Sequence, residues 1–327
     1  MVLLWFVLTP FLENINSISS FKISDTIGIV NKLSVVINAQ NVEKDLPRAL
    51  ASIKDIAGEI VVVDQESTDN TVEIAKKFGA KVFIHPKVEY VELARNFALR
   101  QAQGQWLLVL DPDEEVSQGL AQKIKKILEN PKADYYRIPR KNMIFGKWIE
   151  HSLWWPDYQI RLFKKGSVSW NEIIHSVPMT QGAGGEIEEK EELAIVHHNY
   201  DSVEQFIEKL NRYTSVHSEL LIKDGYKFVW TDIINKPFKE FVSRYFNGEG
   251  YKDGIHGLAL SLLQAFSELT LYLKVWQKEK FVDENPKLSE VVKTLRSQEK
   301  DLHFWESDAL YKESKKFSDR LRRKLRI

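Results

Sequence analysis

The chain has 327 residues, enough for one large domain with an appendage or for two domains. Hydrophobic residues make up 43% and aromatic residues 11%, which suffices for a sizeable core and excludes a disordered chain. Lysine plus arginine balances aspartate plus glutamate at 46 each, so no overall field points to nucleic acid; with no cysteine, disulfides, zinc-thiolate centres and thiol nucleophiles are excluded.

The opening stretch MVLLWFVLTPFLENINS is apolar but broken by Pro10 and Glu13. It lacks the basic start and small-residue cleavage site of a signal peptide, and it is too short to span a bilayer. Residues 1–32 are expected to form an extension that touches a membrane or packs on the domain.

From Leu33 the pattern alternates. LSVVINA is a short β-branched run that predicts a buried strand, and EKDLPRALASI has helical spacing with Pro47 in a first turn. EIVVVD predicts a second strand and NTVEIAKKFG a helix closed by Gly79. KVFIHP predicts a third strand, VELARNFALRQAQG a helix, and QWLLVLD a fourth strand. Strands alternating with helices predict an α/β fold around a mainly parallel sheet, with ligands at the carboxyl ends of its strands. A helix is expected near Gln118–Glu129, followed by further strands, expected to be antiparallel, at YYRIPR and YQIRLFKK, separated by the aromatic loop FGKWIEHSLWWPD. Helical patterning returns at Ser202–Lys223.

The segment IHGLALSLLQAFSELTLYLKVW is the most apolar in the chain, yet Glu268 and Lys274 interrupt it. Upstream, PFKEFVSRYF mixes basic and aromatic residues. Together they predict helices lying in a membrane interface, or a helical hairpin buried in protein. From Lys312 to Arg326 eight basic residues stand against Glu313 and Asp319, a basic tail.

The stretch LLVLDPDEEV sends four apolar residues into the interior and then presents four acids within five positions. Like charges this close repel, so a cation is expected among them. Asp111 and Asp113, alternating past a buried strand, have the spacing to aim at one hard cation, and Mg²⁺ or Mn²⁺ suits an oxygen site completed by a diphosphate. The plain alternative is that these acids cap a helix. In VVVDQESTDNT, Asp64 closes a strand, or else the segment is an ordinary βα loop with Asp69 at the helix start. Arg95 and Asn96 open a helix and either face the same crevice or lie on an exposed face.

The ordered set LSVVINAQN, VVVDQESTDNT, LARNFAL and LDPDEEV resembles glycosyltransferase family 2, with its GT-A nucleotide-sugar-binding fold. WWPDYQIRLFKKG, followed by VSWNEIIHSVP, is similar to the branch containing lipopolysaccharide-core glucosyltransferases. The matches run from Leu33 to Tyr213. The resemblance implies a GT-A domain over 33–225 and a C-terminal amphipathic helical region over 226–327.

It also implies roles. Asp64 is expected to accept a hydrogen bond from the nucleotide base, most simply uracil, with Ala39 lining the same pocket and Arg95 near base or diphosphate. Asp111 is expected near the ribose and metal, and Asp113 on the metal. His175 occupies the position of a late metal or diphosphate contact, although Ser176 stands where the family commonly has glutamate; a simple hydrogen-bonded histidine is the alternative. Asp157 matches the acid that takes the acceptor's proton, with Glu150 and Glu172 as substitutes and an ion pair with Arg161 as the structural alternative. Trp154, Trp155 and Arg161 are expected at the acceptor or sugar. His197 and His198 are adjacent, so one ion shared by both is disfavoured.

The implied activity is an inverting, Mg²⁺- or Mn²⁺-dependent transfer of a hexose from a UDP-sugar to an envelope glycan or lipid-linked acceptor, at the cytoplasmic face of the cell membrane. A sugar nucleotidyltransferase needs a glycine-rich phosphate loop, and INAQNVEKDLP contains no glycine. A membrane-peripheral nucleotide-sugar-binding protein without turnover is the non-enzyme alternative.

Overall fold

The fold is that of a computed structural model, which describes residues 33–88, 92–170 and 178–315. Residues 1–32, Glu172, His175 and the basic tail beyond Lys315 lie outside the described residues. The chain packs as two compact units: the described residues up to Arg140 with Tyr158–His197, and Lys141–Asp157 with the described residues from His198 on.

The first unit opens with β1 (Leu33–Ala39), α1 (Leu46–Ile53), β2 (Glu59–Asp64), α2 (Thr71–Lys77), β3 (Lys81–Ile84), α3 (Glu92–Gln101) and β4 (Trp106–Val109). In β1, Leu33, Val35, Ile37 and Ala39 join one core cluster while Val36 joins the other, because successive side chains leave a strand on opposite faces. Both faces of the sheet are therefore dry, which explains why β1, β2 and β4 read as unbroken apolar runs. In α1, Leu46, Ala49, Leu50 and Ile53 are buried at helical spacing. Each fully buried Leu or Ile side chain contributes roughly 1.5–3 kcal/mol.

Next come β5 (Glu114–Val116), α4 (Gln118–Glu129), capped by Ser117 Oγ accepting from Leu120 N at 3.2 Å, β6 (Tyr135–Ile144), β7 (Lys147–Trp148) and β8 (Asp157–Lys164). β9 (Val168–Ser169), β10 (Met179–Thr180), β11 (Gly184–Glu186) and β12 (Ile195–Tyr200) follow. The main sheet runs β3-β2-β1-β4-β8-β6-β12-β5. β1, β2, β3 and β4 are parallel, whereas β8 is antiparallel to β4 and β12 is antiparallel to β5. The sheet is thus mixed: the expected parallel half, β1 to β4, is extended by later strands, of which β8 runs antiparallel to β4.

The second unit contains the β6–β7 hairpin end, with Met143 opposite Trp148, and four helices: α5 (Val203–Lys223), α6 (Asp232–Val242), α7 (Ile255–Lys278) and α8 (Leu288–Ser314). Ile144, Ile149, Phe206, Leu210 and Leu260 form its core cluster. α5, predicted inside the catalytic domain, groups with the C-terminal helices here. α6 begins five residues before Pro237, where the sequence pattern first looked helical, and carries that proline inside it. From Ile255 to Leu273 the exposed side chains of α7 are Ile255, Leu262, Phe266 and Leu273, all apolar, and α7 is long and apolar enough to cross a membrane.

Candidate active site

The site in the first unit is built at the carboxyl ends of β1, β2 and β4. Ala39 is the register partner of Asp64, so the last residues of β1 and β2 stand side by side. Gln65 N donates to Ala39 O at 2.9 Å and pins the loop after β2. Asp64 is 2% exposed; its Oδ2 accepts from Ser67 N at 3.1 Å, and its Oδ1 is buried with no hydrogen-bond partner. A buried carboxylate oxygen left this way is costly unless a donor arrives. Asp69, expected at the helix start, accepts from Thr71 N and from Glu43 N at 3.0 Å each, tying the two βα loops together.

The cation that LLVLDPDEEV demands is arginine, three times over. Leu110 N still donates to Val36 O, keeping the chain in the sheet until Asp111 leaves it. Asp111 Oδ1 accepts from Arg95 Nη2 at 3.0 Å and its Oδ2 from Arg161 Nη2 at 2.6 Å. Glu114 is fully buried: Oε1 accepts from Arg161 Nη2 at 2.5 Å and Arg140 Nη1 at 3.3 Å, while Oε2 accepts from Asp111 N at 2.9 Å. Burial opposes ionisation of Asp111, but Arg161 and Arg95 outweigh it and hold the carboxyl well below its usual range. Burial likewise opposes the charge on Arg161, and Asp111 with Glu114 raises its pKa instead.

Arg161 therefore supports the acidic loop, with Asp111 and Glu114 as its ion-pair partners where the sequence offered Asp157. Arg95 reaches Asp111, and its guanidinium also lies 5.4 Å from the Trp170 ring. Asn96 does not face the crevice with it, because its side chain is spent on the Trp170 backbone, donating to the carbonyl at 2.7 Å and accepting from the amide at 2.9 Å.

Asp113 is joined by a residue the sequence reading had set aside. His197 lies on β12 as the register partner of Glu114, and its Nε2 stands 3.6 Å from Asp113 Oδ2. His198, next along the strand, belongs to the opposite face. Among the described residues no group of three or more His, Asp or Glu side chains forms a cluster able to hold a metal. Asp113 with His197 fits a divalent ion as a two-donor set, one oxygen and one nitrogen, leaving positions for diphosphate and water. The nitrogen donor suits Mn²⁺ better than Mg²⁺, which prefers oxygen. Asp111, expected on the metal, has both carboxylate oxygens engaged by arginine.

Of the residues expected around the acceptor, Asp157, Trp154 and Trp155 lie in the second unit. Asp157 opens β8, and its Oδ2 accepts from Asn142 Nδ2 at 3.2 Å; the same amide donates to Trp154 O at 2.9 Å. Trp155 meets Trp148 edge to face with ring centroids 5.4 Å apart, and the Arg244 guanidinium lies 5.5 Å from the Trp154 ring. Asn142, a core strand residue, carried no sequence signal, and Arg244 was read only as part of the basic and aromatic stretch PFKEFVSRYF.

Comparison with known proteins identifies the family. The model of the family described as glycosyl transferase family 2 matches residues 34–181. An uncharacterized glycosyltransferase of Rickettsia typhi is 31% identical over 256 residues, covering 75% of this chain and 87% of its own. One from Rickettsia conorii is 30% identical over 263 residues, covering 76% and 91%. The chain belongs to glycosyl transferase family 2, and with its GT-A-type α/β fold it is a glycosyltransferase. Among solved structures it is similar to Staphylococcus aureus TarS residues 1–349, at TM-score 0.40 and 17% identity over 78% of this chain and 93% of that one. A Pyrobaculum calidifontis mannosyltransferase in complex with GDP-Man and Mn²⁺ matches at TM-score 0.41 and 12% identity, over 90% and 84%.

Proposed function

We propose that this glycosyltransferase moves a hexose, with inversion, from a UDP-sugar to an envelope glycan or lipid-linked acceptor, as in the lipopolysaccharide-core branch it resembles. The observation that carries the reading is the buried, unpartnered Asp64 Oδ1 beside Ala39, an acceptor suited to the imide N–H of uracil. Arg95, already on Asp111, brings positive charge toward the diphosphate. Asp113 and His197 would hold a divalent ion, Mn²⁺ by preference. A bound ion there supplies charge neutralisation to the departing diphosphate.

On the acceptor side Asp157 is the proposed base. Its carboxylate, oriented by Asn142, takes the proton of the attacking hydroxyl while the diphosphate leaves from the opposite face of the sugar carbon. Trp154 and Trp155 supply aromatic faces for sugar rings. The outward apolar face of α7 supports a membrane-surface location, which for an enzyme fed by nucleotide sugars is the cytoplasmic face. UDP release from a panel of UDP-sugars, with Mn²⁺ and then with EDTA, tests the reading. Turnover of one UDP-hexose that EDTA abolishes is the expected result; turnover restricted to another nucleotide, or indifferent to EDTA, refutes it.

A further inference from the structure

The loop between β7 and β8 is held in a conformation that its own sequence does not favour. Ser152 and Leu153 are consecutive non-glycine residues at positive φ, 56° and 65°. Leucine has no side-chain hydrogen bond to offset that region, and such residues cost on the order of 1–3 kcal/mol each. Leu153 is also 58% exposed, so burial of its side chain does not explain the geometry.

What imposes it lies about a hundred residues downstream, in the segment between α6 and α7. Ser152 N donates to Gly248 O at 2.7 Å, and Arg244 Nη1 donates to Ser152 O at 2.9 Å. Arg244 is itself held by Glu240, its Nε lying 2.5 Å from Oε1. One residue earlier, the buried Asp253 accepts from His151 N at 2.9 Å through Oδ2 and meets His151 Nδ1 at 3.1 Å through Oδ1. Lys147 Nζ donates to the carbonyl of the same Asp253 at 2.9 Å. Two glycines make the approach feasible: a Cβ on Gly250 would collide with Ser152 Oγ, and one on Gly257 would collide with the Gly250 carbonyl. Both backbone groups of Ser152 and the backbone amide of His151 are thus clamped from one side.

The clamped loop carries Trp154, Trp155 and, two residues on at the start of β8, Asp157. The Arg244 guanidinium that binds the Ser152 carbonyl is the same one that lies against the Trp154 ring. We propose that Arg244 and Asp253 are positioning residues that hold the 151–157 segment as a rigid platform for the acceptor saccharide. The proposal rests on the reading that Trp154, Trp155 and Asp157 face the acceptor. In it, the strain at Ser152 and Leu153 is what fixed anchors impose, so that the tryptophan faces and the Asp157 carboxylate are set before a sugar arrives.

Fluorine NMR of the full chain labelled with 5-fluorotryptophan, with Trp154 and Trp155 assigned by single substitution, reads this directly. The probe is octyl β-D-glucoside below its micelle concentration, and calorimetric UDP affinity is the control on the donor side. In the unsubstituted protein the Trp154 and Trp155 resonances should be sharp and move on titration. Arg244→Ala and Gly250→Ala should broaden or shift those two resonances and weaken the glucoside response at least fivefold, with UDP affinity within twofold and melting temperature held. Arg244→Lys, which keeps the charge, should recover much of the response. Unchanged resonances and titration in both variants overturn the clamp. A glucoside that moves neither tryptophan in the unsubstituted protein, while the variants still shift them, overturns the proposal through the acceptor reading on which it rests.

Discussion

Arg161 Nη2 donates to Asp111 Oδ2 at 2.6 Å and to Glu114 Oε1 at 2.5 Å, joining the first acid of the loop after β4 to the first residue of β5. The guanidinium answers a repulsion that the sequence makes plain, four acids within five positions. Because Glu114 also accepts from Asp111 N, one buried pair fixes both the side chain and the backbone of Asp111.

Glu114→Gln keeps the shape of that link and removes its charge, leaving Arg161 and Arg140 short of a buried counterion. A loss of about 2–3 kcal/mol is expected, since breaking a buried pair by removing one partner is expensive. Urea unfolding of the variant beside the unsubstituted protein checks this. A change below about 0.5 kcal/mol would show that the pair does not hold the loop.

Acid should act through the same group. The native state keeps Asp111 ionised to lower pH than the unfolded chain, whose aspartates titrate near about 3.9. The stability gained from ionised Asp111 is therefore fully present above that pH and declines as pH falls below it. Asp111→Asn should be less stable at pH 7 and should show a shallower decline between pH 4 and pH 2 in urea melts. Parallel profiles for the two proteins would contradict the assignment.

Asp157→Asn should leave UDP binding within twofold of the unsubstituted value and lower sugar transfer by at least a hundredfold, the span general-base catalysis commonly supplies. Single-turnover transfer from the preferred UDP-sugar measures it. Transfer at the original rate would move the base to another residue.

Replacing Leu262 and Phe266 by glutamate puts two charges on the outward face of α7. Binding to vesicles carrying anionic lipid, read by flotation, should fall at least tenfold, with melting temperature unchanged because both side chains are exposed. Equal flotation of the two proteins would remove α7 from the membrane reading.

Much of the first unit was legible in the sequence because its elements are local and repetitive. Buried β-branched runs and the helical spacing of α1 each announce themselves over a few residues, and the predicted helix at Gln118–Glu129 coincides with α4. What was hidden depends on long-range pairing. His197 reaches Asp113 only because β12 is antiparallel to β5, a register no spacing rule encodes. Arg161 read as a sugar contact because a strand arginine gives no hint of what lies across the sheet. α8 falls within the C-terminal region expected to be helical, 226–327, although its bounds were not read from the sequence. Arg244 and Asp253 stand about a hundred residues from the loop they hold, in a stretch whose basic and aromatic residues read as a membrane-interface pattern rather than as anchors.

Calorimetric titration of UDP with and without Mn²⁺, on the unsubstituted protein, Asp113→Asn and His197→Ala, tests the central claim most directly. Mn²⁺ should tighten UDP binding at least tenfold in the unsubstituted protein, and either substitution should erase that gain while the metal-free UDP affinity stays within twofold. UDP affinity indifferent to Mn²⁺ in the folded, unsubstituted protein, or a gain undiminished in both variants, would contradict the account.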